Sequence, residues 1–400
     1  MKLVDAKLVK GRLLPLDDYI GVVKEILREG STSPVLVGEG NVVAGNLEVF
    51  NALQAIGVKF IPITTSAYEL STRVSIDQLG FYDNVVGSST RVYSDLLELL
   101  ERDVPTPLLR LKSLSKEKVT VWAKLEWYHP LSLSIKDRAA WYMMKHAVEQ
   151  GLLRSTRVYE ATSTNTGLAI VGLANYLGLK ARVYLPSTAQ RCIDYLFKAM
   201  GSEVVRLPTS ITVDMINRVK EDAMRDDAFV PNQFENDYNF IVHLKYTAKE
   251  IDYQLKSIGR RPSAIIGGLG TSGHLSALAV YFKSRYGGVK VYGVQPSRDS
   301  VIPGLRRVET KMKWLKYADL DGILEVSLEE AFLSLLSTVR VDGLLIGLSG
   351  GAILHATKRL IESGEVYGDV VVVIPDHGVK YVEVLEYLVE KCIETPHMVE

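Results

Sequence analysis

Cysteine is nearly missing from this chain: Cys192 and Cys392 are the only two in 400 residues. That excludes a disulfide framework and suits a reducing compartment. Both fall in segments that read as helices, Cys192 as a small buried helix residue, and neither joins a metal-ligand cluster, so no metal is expected. Charge of one sign is lacking too, because 47 Lys and Arg balance 47 Asp and Glu. No global field therefore favours nucleic acid or an anionic membrane. No apolar run approaches the ~18 residues of a membrane span, and no basic segment followed by an apolar core opens the sequence. Low-complexity tracts, tandem repeats and long Pro/Gly/Ser linkers are absent as well. What remains is the expectation of a cytoplasmic protein acting on small molecules.

What is present is alternation. From Val119 onward, short Val/Ile-rich runs such as Ala181 to Leu185, Val289 to Val294 and Val370 to Ile374 alternate with amphipathic stretches. Apolar strands bounded by turns and separated by helices imply an α/β fold, with parallel sheets covered on both faces. The length allows two or three domains with buried cores. One boundary stands out, the charged stretch Glu101 to Pro107. Before it, Pro34 to Val37, Gly45 to Glu48 and Ala52 to Pro62 read as strand–helix–strand.

Four segments carry chemistry. Lys136, in Ser132-Leu133-Ser134-Ile135-Lys136-Asp137-Arg138, follows a predicted strand (Val119 to Glu126) and opens a helix reaching about Gln150. An apolar-flanked lysine in such a turn is open to desolvation, which lowers its pKa and frees its amine to attack an aldehyde. The run Ala264 to His274, containing Gly267-Gly268-Leu269-Gly270-Thr271-Ser272-Gly273, leads a buried strand through small residues into a helix. Backbone N–H groups at such a helix start bind anions. It is not a Walker loop, since no Gly-Lys-Ser/Thr follows. Glu160 to Gly167 presents Thr162, Ser163, Thr164, Asn165 and Thr166 at another helix start, suited to a carboxylate or a phenolate oxygen. Gly347-Leu348-Ser349-Gly350-Gly351 sets Ser349 before a fourth helix. Each admits a plainer reading: a solvated surface lysine, an ordinary strand–helix turn, or a simple N-cap.

Taken in order, with Thr106-Pro107-Leu108 before and Pro375-Asp376-His377-Gly378 after, these segments resemble the β-family (fold type II) of pyridoxal phosphate enzymes over residues 104–390. Within it, Lys124 to Arg138, Ile302 to Thr310 and Asp376 to Tyr381 are similar to the archaeal O-phosphoserine sulfhydrylases, a group of cysteine synthases. The resemblance implies the tryptophan synthase β-like fold: a large domain (104–138 and 236–400), a small domain (139–235), and an N-terminal extension (1–103). It also implies a homodimer. The cofactor would be pyridoxal 5'-phosphate, in imine linkage with Lys136. Asn165 would contact its phenolate oxygen, Gly268, Gly270, Thr271, Ser272, Gly273 and His274 would wrap its phosphate, and Ser349 would face its ring nitrogen.

A serine hydroxyl leaves that nitrogen unprotonated and the ring a weaker electron sink, which favours β-elimination and β-replacement. Thr162, Ser163 and Thr166 would hold the substrate carboxylate, and Gln233 matches a substrate-binding family position that also reaches this region. A phosphate leaving group needs a fixed cation, for which Arg306 is the candidate and Arg307 the fallback. The implied reaction makes L-cysteine from O-phosphoserine and sulfide. O-acetylserine sulfhydrylation, cystathionine β-synthesis and serine or threonine dehydration share the cofactor residues. A scaffold that lost its cofactor and binds a partner through the extension is the non-catalytic alternative.

Two departures matter: His129 replaces an asparagine, and Thr164 replaces a glycine whose loss restricts backbone angles. The extension resembles the ParB/sulfiredoxin-like fold, but Asn46 and Glu48 stand where nucleotide-binding members carry cationic groups. A structural or dimer-contact role is therefore expected of it.

Overall fold

A computed structural model describes residues 1–394, and side chains through residue 391. The largest sheet has six strands in the order Gly322–Val326, Lys290–Pro296, Ala264–Gly268, Gly368–Ile374, Val119–Leu125 and Leu108–Arg110. All its pairings are parallel except the last, where Leu108–Arg110 runs antiparallel along the edge. The central strand shows why this segment is a strand: Val370 to Ile374 are all buried, as expected where helices cover both faces. A second sheet contains three parallel strands, Glu203–Leu207, Lys180–Pro186 and Arg157–Ala161. The expected α/β class with parallel sheets is what the chain builds.

Helices begin and end where the local chemistry directs. Leu328–Asp342 opens with a capping box between Ser327 and Glu330 and closes on Gly343 in the left-handed region. Leu348–Glu362 is capped by Gly347, not by Ser349. Ser349 lies one residue inside the helix, so the capping alternative for its hydroxyl is corrected. Cys192 is likewise corrected: it is half-buried and precedes the helix Ile193–Ala199. The side chain of Cys392 falls outside the described residues, although its backbone lies in the helix Val382–Glu394. No helix among the described residues is long and apolar enough to cross a membrane.

The first hundred residues form a mixed four-stranded sheet (Lys2–Asp5, Phe60–Thr64, Val35–Val37, Val43–Gly45) with helices Leu16–Glu29 and Leu47–Ile56. This unit shares one apolar core with the helix Gly273–Arg285: Val23, Ile26 and Leu27 belong to the same cluster as Leu278 and Tyr281. Buried Lys249 fastens it further, donating to the carbonyls of Ile56 and Gly57 at 3.1 and 3.0 Å. There it satisfies the acceptors that a helix C-terminus leaves open. The extension therefore rests on the helix that begins at the glycine-rich loop.

Candidate active site

The carboxyl ends of strands from both sheets face a shared cavity of about 320 Å³, the place where open α/β sheets put their ligands. Lys136 is the first residue of the helix Lys136–Glu149. The loop before it is held tightly. Leu133 sits in the left-handed region at φ 51°. Asp137 accepts the N–H groups of Leu131 (2.6 Å) and Ser132 (3.0 Å). The Lys380 ammonium donates to the carbonyls of Ser132 and Leu133. No hydrogen bond or ion pair among the described residues engages the Lys136 amine, which opens on the cavity. Burial pulls its pKa down to about 8; Asp376 opposes the shift, while Lys380 and Arg306 add to it.

The glycine-rich loop passes close to its neighbours. A Cβ on Gly270 would lie 2.5 Å from the Gly304 carbonyl oxygen, so only glycine fits. Ser272 adopts φ 70° and caps the helix Gly273–Arg285. Its Oγ and the Nε2 of His274 are buried with no partner. Burial, reinforced by Lys136, holds the His274 pKa down to about 3, so the ring is neutral.

Opposite, Asn165 opens the helix Asn165–Tyr176; its Nδ2 donates to Asp376 at 2.8 Å, and its Oδ1 is buried and unpartnered. Thr166 donates to Gln233 at 2.7 Å. Thr164, where glycine was expected, has φ −168°. That φ lies outside the left-handed region that favours glycine. Thr162 turns inward, its Oγ1 accepting from Gly167 N–H at 2.9 Å.

The cavity brings together Lys136, Ser163, Asn165, Thr166, Gln233, Gly268, Gly270, Thr271, His274, Arg306 and Ser349; Thr162, Ser272 and Gly273 stand behind its wall. The two arginine candidates differ sharply. Arg307 is paired with Glu309 (2.8 Å) and Glu325 (2.7 Å). Arg306 meets no carboxylate at ion-pair distance among the described residues. Its Nε donates to the Gly270 carbonyl at 2.8 Å, its guanidinium lies 4.7 Å from the Phe234 ring centre, and its Nη1 is buried and unpartnered. Burial lowers its pKa to about 10, with Asp214 alone pulling the other way.

Sequence reasoning assigned no role to Asp376, Tyr381 or Lys380, although the Asp376–Tyr381 run was visible. Asp376 is buried, accepts from the Tyr381 hydroxyl, and fits only because residue 347 is glycine: a Cβ there would overlap its Oδ1.

The profile of the pyridoxal-phosphate dependent enzyme family matches residues 99–376. This chain belongs to that family. Its cofactor is pyridoxal phosphate, and its members' chemistry includes that of cysteine synthases, to which it is similar in sequence. A probable cysteine synthase of Bacillus subtilis (strain 168) is 32% identical over 272 residues, 64% of this chain and 87% of the relative. A cysteine synthase of Staphylococcus aureus (strain Mu50 / ATCC 700699) is 28% identical over 288 residues, covering 69% and 92%. The fold matches the crystal structure of an O-acetylserine dependent cystathionine beta-synthase from Helicobacter pylori with a TM-score of 0.63. That match has 25% identity and covers 73% of this chain and 98% of that one.

The residues present fit the cofactor. The unpartnered Nε2 of His274, a residue of the cavity wall, and the N–H groups at a helix start suit its phosphate. The unengaged Lys136 amine suits its aldehyde. The polar Ser349 lies buried in the same cavity.

Proposed function

We propose that this family member is a cysteine synthase that takes O-phosphoserine as its amino-acid substrate and sulfide as the second. The observation that carries the choice of substrate is Arg306. A half-buried guanidinium with one nitrogen fully buried and no counter-charge is costly, and it stands in the same cavity as Lys136. A phosphate dianion supplies the missing charge, and arginine's planar fork matches its oxygens. An acetyl ester supplies no charge.

When bound, pyridoxal phosphate supplies an aldehyde for the substrate amine and a ring that draws in the electron pair left at Cα. The protein's groups do the rest. Lys136, poised near neutrality, takes the Cα proton as general base and later returns it to the same carbon. Ser163, Thr166 and Gln233 hold the substrate carboxylate. Arg306 stabilises the phosphate as the Cβ–O bond breaks, and hydrosulfide adds at Cβ, so that phosphate and L-cysteine leave. Ser349, a hydroxyl rather than a carboxylate, leaves the ring nitrogen unprotonated, which favours loss of the β-substituent over transamination.

The test is product analysis. Loaded enzyme with O-phosphoserine and sulfide should yield cysteine and one equivalent of phosphate, with kcat/KM well above that for O-acetylserine. Pyruvate in place of cysteine would mark a dehydratase-type lyase, and a preference for O-acetylserine would place it among the sulfhydrylases that use that ester.

A further inference from the structure

Glu160 is a buried carboxyl that the proposed reaction does not use. It is 1% exposed, is the next-to-last residue of the strand Arg157–Ala161, and lies two positions before the run Thr162 to Thr166. No cation pairs with it among the described residues. Burial pushes it up to about 8, so at pH 7 it is held mainly in the neutral form. Instead of a counter-charge it takes two backbone N–H groups, those of Asn232 (2.8 Å) and Gln233 (3.4 Å).

Those donors belong to a turn in which Asn232 stands at φ 52°, in the left-handed region, and its carbonyl accepts from the N–H groups of Glu235 and Asn236. The Gln233 side chain is fixed from both ends. Its Oε1 accepts from Thr166 and its Nε2 donates to the Ala161 carbonyl at 2.9 Å. Its main-chain carbonyl accepts from Asn239, which also donates to Thr271 at 3.1 Å.

We propose that Glu160 is a positioning residue, which fixes the Asn232–Gln233 turn so that Gln233 stands ready beside Thr166 to receive the α-carboxylate of the substrate. It acts through Gln233 and does not line the cavity itself. This inference rests on the reading that Gln233 and the Ser163–Thr166 run take that carboxylate.

The test compares loaded Glu160→Ala, Glu160→Gln, Gln233→Ala and the Glu160→Ala/Gln233→Ala double variant at pH 7. Glu160→Ala should raise KM for O-phosphoserine about tenfold, the scale of losing a buried hydrogen-bond partner. KM for sulfide and the absorbance of bound cofactor should stay unchanged. The dissociation constant of L-alanine, which has the carboxylate but no leaving group, should rise in parallel. Glu160→Gln, neutral and of the same shape, should keep KM within about threefold. In the Gln233→Ala background, Glu160→Ala should add less than about twofold.

Multiplying effects in the double variant, or a KM for Glu160→Gln as high as for Glu160→Ala, would overturn the proposal. An effect of Gln233→Ala with none of Glu160→Ala would overturn it and leave the carboxylate reading standing. No effect of Gln233→Ala would overturn both. Should Glu160→Ala fail to fold, Glu160→Asp, which withdraws the carboxyl by one methylene, must show the raised KM or the proposal falls.

Discussion

Two charge clusters lie side by side, one buried and one half-buried, and they are built on opposite rules. In the first, Lys124, Glu126, Arg138 and Glu250 are all buried and every charge meets an opposite one. Lys124 reaches Glu250 at 2.6 Å, and Arg138 spans Glu126 (2.7 Å) and Glu250 (2.6 Å). Arg138 and Lys124 hold Glu250 down to about 2, against the burial that opposes it. In the second, two residues before Arg138, the Lys136 amine and the Arg306 guanidinium meet no carboxylate at ion-pair distance among the described residues. Burial drags both pKa values down instead of neighbours holding them up. The first cluster fixes the strand Val119–Leu125 against the helices that follow. The second keeps its cations available. A charge left unanswered in a cavity is one that a ligand can complete.

The contrast can be broken at several points. The largest effect belongs to Lys136. Lys136→Ala should lower turnover by at least about a thousandfold, the upper range of a lost general base. Borohydride reduction followed by peptide mapping should find cofactor on Lys136 in the wild type and nowhere in the variant. Second is the paired cluster. Glu250→Ala leaves Lys124 and Arg138 short of a partner and should cost about 3–5 kcal/mol in denaturant unfolding. The effect on folded, loaded enzyme should be far smaller than that of Lys136→Ala.

Third is the titration of the unpaired amine. With its pKa lowered to about 8, free Lys136 gains its nucleophilic form as pH rises through that value. The rate at which cofactor-free protein captures pyridoxal phosphate should climb between about pH 7 and 9 and then level off. A rate still climbing beyond pH 10 would mean an ordinary solvated lysine. The smallest effect belongs to Arg307, already answered by two carboxylates. Arg307→Ala should leave kcat/KM for O-phosphoserine within about threefold, as for other exposed pairs.

Much of this was legible in the sequence because each site element is local: a strand, a few small residues, a helix start. Lys136, the Gly268–His274 loop and the Thr162–Thr166 run each announce themselves within a dozen residues, and the turns they predict are the turns that form. What stayed hidden depends on partners far along the chain. Asp376 gains its place from Asn165, 211 positions earlier. Lys380 fixes a loop 248 positions before it. Glu160 reads as an ordinary strand end until Gln233 arrives. Hydroxyl direction was equally out of reach. Thr162 spends its oxygen on Gly167, and Ser349 sits one residue inside the helix that Gly347 caps. The antiparallel edge strand Leu108–Arg110 also gave no sign, being three residues long with no turn motif to mark its direction.

The account turns on an unanswered guanidinium, and one comparison reaches it directly: kcat/KM for O-phosphoserine and for O-acetylserine, each in wild type and Arg306→Ala. Losing a charge-assisted contact should cost about 2–4 kcal/mol, or ~30- to 1000-fold, with O-phosphoserine, while O-acetylserine changes by less than about threefold. An equal fall on both substrates, or no fall on either, would contradict the assignment of Arg306 to the phosphate.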